Sequence, residues 1–190
     1  RPEKSLPIYQ PSELNPALVD PAVLGHENHR ILPFLCVNQK GDTITLEDLE
    51  GQVIVVDFFF TRCATICPLL TANMKRVQDR FLTDDRVRLL SHSVTPVADS
   101  VAVLKRYGER MGVDAKRWWL MTGEKKEIYK LARKSYFAAL DEGDGGFQDF
   151  VHTENMVLVD RLGRLRGFYD GTDLDEVNRL VRDLEFLISL

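Results

Sequence analysis

The residues able to do chemistry are few: three cysteines, four histidines and a scatter of carboxylates. Two of the cysteines, Cys63 and Cys67, sit in "TRCATICPLL" with three residues between them. Dithiol exchange sites usually place two residues between their cysteines, and structural zinc sites need two such pairs. Spacing alone therefore leaves thiol exchange and metal binding open. A thiolate serves both, as the nucleophile in exchange and as a soft metal ligand.

Position says more. "QVIVVDFFF" (52–60) is a continuous β-branched and aromatic run, the pattern of a central strand buried on both faces. A helix follows Cys67, with Pro68 expected at its first position and Leu70, Met74, Val77 and Phe81 as its apolar stripe. Cys63 and Cys67 thus fall in a strand-to-helix loop, where open α/β sheets place their chemistry. The helix N-terminus favours negative charge there and lowers a thiol's pKa.

The rest of the chain alternates in the same way. "PFLCVNQKGDTITL" reads as a hairpin turning at Gly41-Asp42, and "RVRLLSHSV" and "RWWLMTG" read as further strands. Val97, Val101, Leu104 and Met111 mark a second helix, and 124–135 a third, with Ile128 and Leu131 facing inward. "NMVLVD" and "LRGFYD" form a hairpin about Leu162-Gly163. A final helix starts near Thr172-Asp173 and buries Leu174, Val177, Val181, Leu184 and Ile188. A buried strand feeding a helix and then a second buried strand implies a right-handed βαβ unit. The order predicts a thioredoxin-like α/β fold: a mixed central sheet flanked by helices, with an N-terminal β-hairpin extension. Residues 1–30, dense in proline (Pro2, Pro7, Pro11, Pro16, Pro21), read as an extended tether or surface strap, and 31–190 as one domain.

In that fold, exchange sites face a cis-proline just before the closing hairpin. No proline follows Pro96, and His152, in "FVHTENMVLVD", stands where that device would be. Two thiolates and an imidazole form a sulfur-rich set suited to Cu(I), with a coordination position left open; zinc would prefer a fourth protein ligand. Cys36 reads as a buried small hydrophobe. His92 reads as a packing group or backbone hydrogen-bond partner, with a place beside the site as the alternative; His26 and His29, whose i, i+3 spacing could suit a metal, read as solvated linker residues. The acidic, glycine-rich loop at 141–146 is either a mobile gate or partner contact, or a solvated loop without a role. A peroxidase would need two residues between Thr61 and the cysteine, and "TRC" has one.

Composition narrows the classes. The chain has 190 residues, 44% apolar and 28% charged, with net charge −4 and no long basic block, which argues against nucleic acid as a partner. No apolar run approaches the ~18 residues of a membrane span. The chain begins at Arg1 rather than Met, so the expectation is a form from which a targeting or anchoring segment has been removed.

"FFFTRCATICP", "HSVTPVADSVAVLKRYGERMG" and "HTENMVLVDRLGRLRGFYDGT" together resemble the SCO/SenC family of copper-binding proteins, over about residues 30 to 188. The resemblance implies an extracytoplasmic protein of the bacterial periplasm, tethered to the membrane. It would bind copper, as Cu(I), Cu(II) or both, through Cys63, Cys67 and His152. Its role would be assembly of the dinuclear copper centre of cytochrome c oxidase, its partner the copper-centre subunit or another copper-handling protein. Some relatives instead reduce the oxidase's copper-ligating cysteines, with Cys63 and Cys67 as the corresponding catalytic dithiol. Two segments depart from the pattern. Ala64 and Thr65 stand where many members carry Pro and Asp, and Thr95 replaces the Asp of Ser-Val-Asp-Pro, although Asp99 keeps a following acidic position. Less negative charge there weakens Cu(II) relative to Cu(I).

Overall fold

In the computed structural model, residues 5–14, 28–139 and 143–190 are described; His26 and residues 141–142 of the acidic loop lie outside them. A seven-stranded sheet runs through the molecule in the order β2-β1-β5-β4-β3-β6-β7, with β1 Leu35–Asn38, β2 Thr43–Thr45, β3 Val53–Phe59, β4 Val87–Ser93, β5 Trp118–Thr122, β6 Asn155–Val159 and β7 Leu165–Asp170. Strands β3, β4 and β5 are parallel; the β1–β2 and β6–β7 hairpins add antiparallel strands on either side. This is the thioredoxin-like arrangement expected, with β1–β2 as the N-terminal extension.

All seven residues of β3 are buried because helices cover both faces of the sheet. Helices α2 (Ile66–Arg80), α3 (Val101–Met111) and α5 (Leu174–Ile188) pack one face, where Val55, Leu70, Met74, Leu89, Leu104, Leu120 and Leu184 share a core. Helix α4 (Lys125–Lys130) and the π-helical turn Leu131–Ser135 cover the other, with Ile54, Val56, Leu90, Met121, Ile128, Tyr136 and Val157. Each such side chain contributes roughly 1.5–3 kcal/mol on burial, so the layering needs no disulfide.

Three local expectations are corrected. Helix α2 begins at Ile66, not Pro68, so Cys67 lies inside its first turn. Pro68 is still tolerated, because first-turn N–H groups have no intrahelical partner. Val97 is 96% exposed and precedes α3, which starts at Val101 where the Ser100 hydroxyl accepts the Val103 N–H at 3.3 Å. Leu174, in the first turn of α5, is also exposed, and Leu180 is buried in that helix.

Near the N-terminus, the Tyr9 N–H donates to Leu165 O at 2.9 Å, and Arg166 donates to the carbonyls of Leu6 and Pro7. The segment therefore occupies the otherwise open edge of β7, which would be a template for unwanted pairing. Pro11–Leu14 forms one helical turn, α1, with the Gln10 N–H donating to the Glu13 carboxylate at 2.7 Å. Proline at a first helical position fits that turn.

Candidate metal centre

The cysteine loop leaves the carboxyl end of β3 under tight control. Asp99, fully buried at the foot of α3, accepts from the Thr61 N–H (3.2 Å), the Thr61 hydroxyl (2.5 Å), Ser93 Oγ (2.7 Å) and Thr95 Oγ1 (3.0 Å). One carboxylate thus ties the residue two before Cys63 to the end of β4. Asp99→Ala would orphan these donors where water does not replace the oxygen atoms; it should lower unfolding free energy by about 2–3 kcal/mol in a urea titration.

Cys63 is half-buried and Cys67 buried, both as free thiols. The Cys67 N–H, in the first turn of α2, donates to Cys63 Sγ at 3.4 Å, and the Thr65 hydroxyl lies 3.9 Å from the same sulfur. Burial pushes the Cys63 thiol up, but hydrogen bonds from the Cys67 thiol and the Cys67 and Thr65 N–H groups outweigh it and bring the pKa down to about 7. Cys67 moves the other way, up to about 12, through burial, its hydrogen bond to Cys63, and the charges of Cys63 and Asp57. The two sulfurs are therefore unlike: one poised as thiolate at the surface, the other a protonated donor behind it.

The facing loop brings His152 to the same place. Val151, His152 and Thr153 line a small cavity with Phe58, Phe59, Phe60, Ile66, Cys67, Leu70 and Val94. The Phe60 ring meets the Phe150 ring edge-on at 5.3 Å, closing the loop against the end of β3. His152 itself is exposed. Among the described residues no cis peptide occurs, and no three His, Cys, Asp or Glu side chains already converge as metal ligands. The imidazole borders the site from its rim. The donor set, one thiol in the loop before α2, one in its first turn, and an imidazole on the cavity's edge, has the softness that Cu(I) requires.

The remaining candidates fall elsewhere. Cys36 is buried, with its sulfur 3.8 Å from His92 Nδ1. His92 is fully buried and stacks on Phe58 at 5.3 Å, so it is a core packing group; burial holds its pKa down at about 3. His29 is docked, not solvated: its Nε2 donates to Ser135 O at 2.8 Å and its ring meets Phe137 edge-on. Glycines 145 and 146 of the acidic loop are held as well. Lys125 donates to Gly146 O at 2.7 Å, and the Gly145 N–H donates to Asp149, which the Arg133 guanidinium grips with two nitrogens.

One residue of the site has only a faint mark in the sequence. Asp57, on β3, points into the same core face as Cys67 and is 1% exposed. The Ser91 hydroxyl donates to it, and Trp118 Nε1 donates to that hydroxyl at 2.9 Å. Burial, only partly offset by Ser91, pushes its carboxyl up to about 7. The mark is a lone charge inside an otherwise apolar strand, "VIVVDFFF".

A redox- or metal-competent pair of cysteines at a helix N-terminus, faced by a proline-free loop carrying histidine, defines the site of a thioredoxin-fold protein. The SCO1/SenC family model matches residues 24–189, and the chain belongs to that family. It is 32% identical to the SCO1 protein homolog of Bacillus subtilis over 165 residues, 86% of this chain and 85% of that one. A SCO1/SenC family lipoprotein of Bacillus anthracis superposes with a TM-score of 0.73 at 30% identity, covering 85% of this chain and 96% of that one. BsSco, a member of the Sco family of cytochrome c oxidase assembly proteins in which a disulfide switch has been identified, superposes at 0.72 with 31% identity, over 86% and 95%.

Proposed function

We propose that this protein is a copper chaperone that holds one copper ion between the Cys63 and Cys67 thiolates and the His152 imidazole and serves assembly of the dinuclear copper centre of cytochrome c oxidase. The observation that carries the reading is the shared cavity: Cys67 in the first turn of α2, its N–H on the Cys63 sulfur, and His152 lining the same cavity. Copper is cargo here. Binding displaces the Cys67 proton, which explains how a thiol so hard to ionise becomes a ligand, and ties affinity to pH. Three donors leave a position open for an acceptor's thiolate or imidazole, so transfer proceeds by ligand exchange. The acceptor in this reading is the oxidase's copper-centre subunit or another copper-handling protein. Ala64 and Thr65 carry no charge beside Cys63, which favours Cu(I) over Cu(II). The place of action is extracytoplasmic, the bacterial periplasm or its equivalent, with a membrane tether in keeping with the lipoprotein character of the B. anthracis relative.

A second reading has its own support: the Cys67 N–H donates to the Cys63 sulfur at 3.4 Å, and the BsSco relative carries a disulfide switch. The Cys63 thiolate would attack a partner disulfide and Cys67 would resolve the mixed disulfide, leaving the partner as two thiols and this protein oxidised. One titration separates the two. Reduced protein competes for Cu(I) against a chromophoric chelator, beside His152→Ala. The copper reading expects one ion per chain and a loss of about 100-fold or more in affinity without the imidazole. Substoichiometric binding, or wild-type affinity in His152→Ala with normal disulfide reduction, contradicts it.

A further inference from the structure

The loop carrying His152 is fastened on both sides of that residue. After it, the Thr153 hydroxyl donates to Ala138 O at 2.6 Å, Asn155 Nδ2 donates to the same carbonyl at 3.2 Å, and the Asn155 N–H donates back to Thr153 Oγ1 at 3.2 Å. Before it, Val151 is buried in the core, and Asp149 is forked by Arg133 with both side chains less than a tenth exposed. His152 is the exposed residue between these fastenings.

The acceptor carbonyl is itself held at a cost. Past the π-helical turn, the Ala132 carbonyl takes the N–H groups of Ala138 (2.8 Å) and Ala139 (3.2 Å) as the chain turns through a left-handed residue. That residue is ordinarily glycine. Here it is Phe137, at φ 53°, with its ring against His29 at 5.2 Å. A bulky side chain in this region costs roughly 1–2 kcal/mol, and such strain persists only where the surroundings over-determine it. What the turn presents to the site is Ala138 O.

We infer that Thr153 is a positioning residue: its hydroxyl, tied to the Ala138 carbonyl, fixes the His152 backbone at the rim of the cavity that Cys67 also lines, and so holds the imidazole where it can join the sulfurs on copper. The inference rests on His152 being the third copper ligand and adds what sets its reach. Groups that orient a metal-binding histidine typically change affinity 10- to 100-fold when removed.

A double-mutant cycle tests it, with Cu(I) and a competing chelator as the probe. Thr153→Val, which keeps shape and loses the donor, should weaken Cu(I) binding about tenfold, and Thr153→Ser should restore it. In the His152→Ala background Thr153→Val should change nothing, since its effect passes through the imidazole. In the metal-free reduced protein, amide exchange across 151–154 should quicken in Thr153→Val while that of Cys63 and Cys67 stays as in wild type. Asn155→Ala, which removes the second donor, should show a smaller loss of the same kind and serves if Thr153→Val does not fold. Wild-type affinity in Thr153→Val beside a weakened His152→Ala overturns the positioning role and leaves the ligand reading standing. So does an equal loss in both backgrounds, or unchanged exchange. Wild-type affinity in His152→Ala overturns the ligand reading, and the positioning role with it.

Discussion

At pH 7, iodoacetamide should label Cys63 at least 100-fold faster than Cys67 in the reduced protein. With its pKa near 7, about half of Cys63 is thiolate at that pH, whereas Cys67, near 12, has a thiolate fraction on the order of 10⁻⁵. The thiolate of lower pKa is the weaker nucleophile, which takes back roughly two of those five decades and leaves a ratio of about 10²–10³. Burial of Cys67 adds to the difference. The rate at Cys63 should rise with pH through a midpoint near 7. Cys67→Ala should move that midpoint up, because the thiol donor is lost while the backbone N–H remains. Cys36, buried and also pushed up to about 12, is the internal control and should stay unlabelled. Mass spectrometry of the digested protein over a pH series reads all three sites; equal labelling of Cys63 and Cys67 would show the two sulfurs to be alike.

Asp57→Asn should stabilise the protein at pH 8 and flatten its stability between pH 4 and 7. The folded pKa, about 7, lies above the ordinary carboxylate value of 3.8, so between them the folded state binds the extra proton. Stability therefore falls as pH rises through this window and levels off above the folded pKa. The gap between the two values corresponds to about 4 kcal/mol as an upper bound. Asparagine keeps an acceptor for the Ser91 hydroxyl, which in turn keeps its bond from Trp118. Urea titrations of both proteins at pH 5 and pH 8 read the effect: the wild type should be the less stable at pH 8, and the variant nearly level. The same substitution removes a negative charge that disfavours ionisation of Cys67, so copper capture, which needs that ionisation, should become tighter at pH 8.

Much of the frame was legible because it is written in local periodicity. The run 52–60, the stripe Leu70–Met74–Val77–Phe81 and the Leu162-Gly163 turn all carry their own pattern, and the structure places each as expected; Gly163 takes φ 77° at the hairpin. Cys63, Cys67 and His152 stood out as chemistry at chain positions where the fold converges. What could not be read depends on distant contacts. Asp99 reaches across 38 residues to Thr61, and His29 across 106 to Ser135; neither bond leaves a local signature. Phe137 occupies a left-handed position that residue type argues against, held among distant contacts that include the His29 ring. Helix α2 starts two residues early because a proline is accepted throughout a helix's first turn, so Pro68 does not mark the first position. That shift matters most, since it puts the Cys67 N–H onto the Cys63 sulfur.

X-ray absorption on the reduced protein loaded with one equivalent of Cu(I) reads the proposed ligand set itself. Two sulfur scatterers and one imidazole nitrogen are expected about each copper, with the imidazole signal lost in His152→Ala and the sulfurs retained. A copper bound by sulfur alone in the wild type, with a spectrum unchanged in His152→Ala, would contradict the three-ligand site.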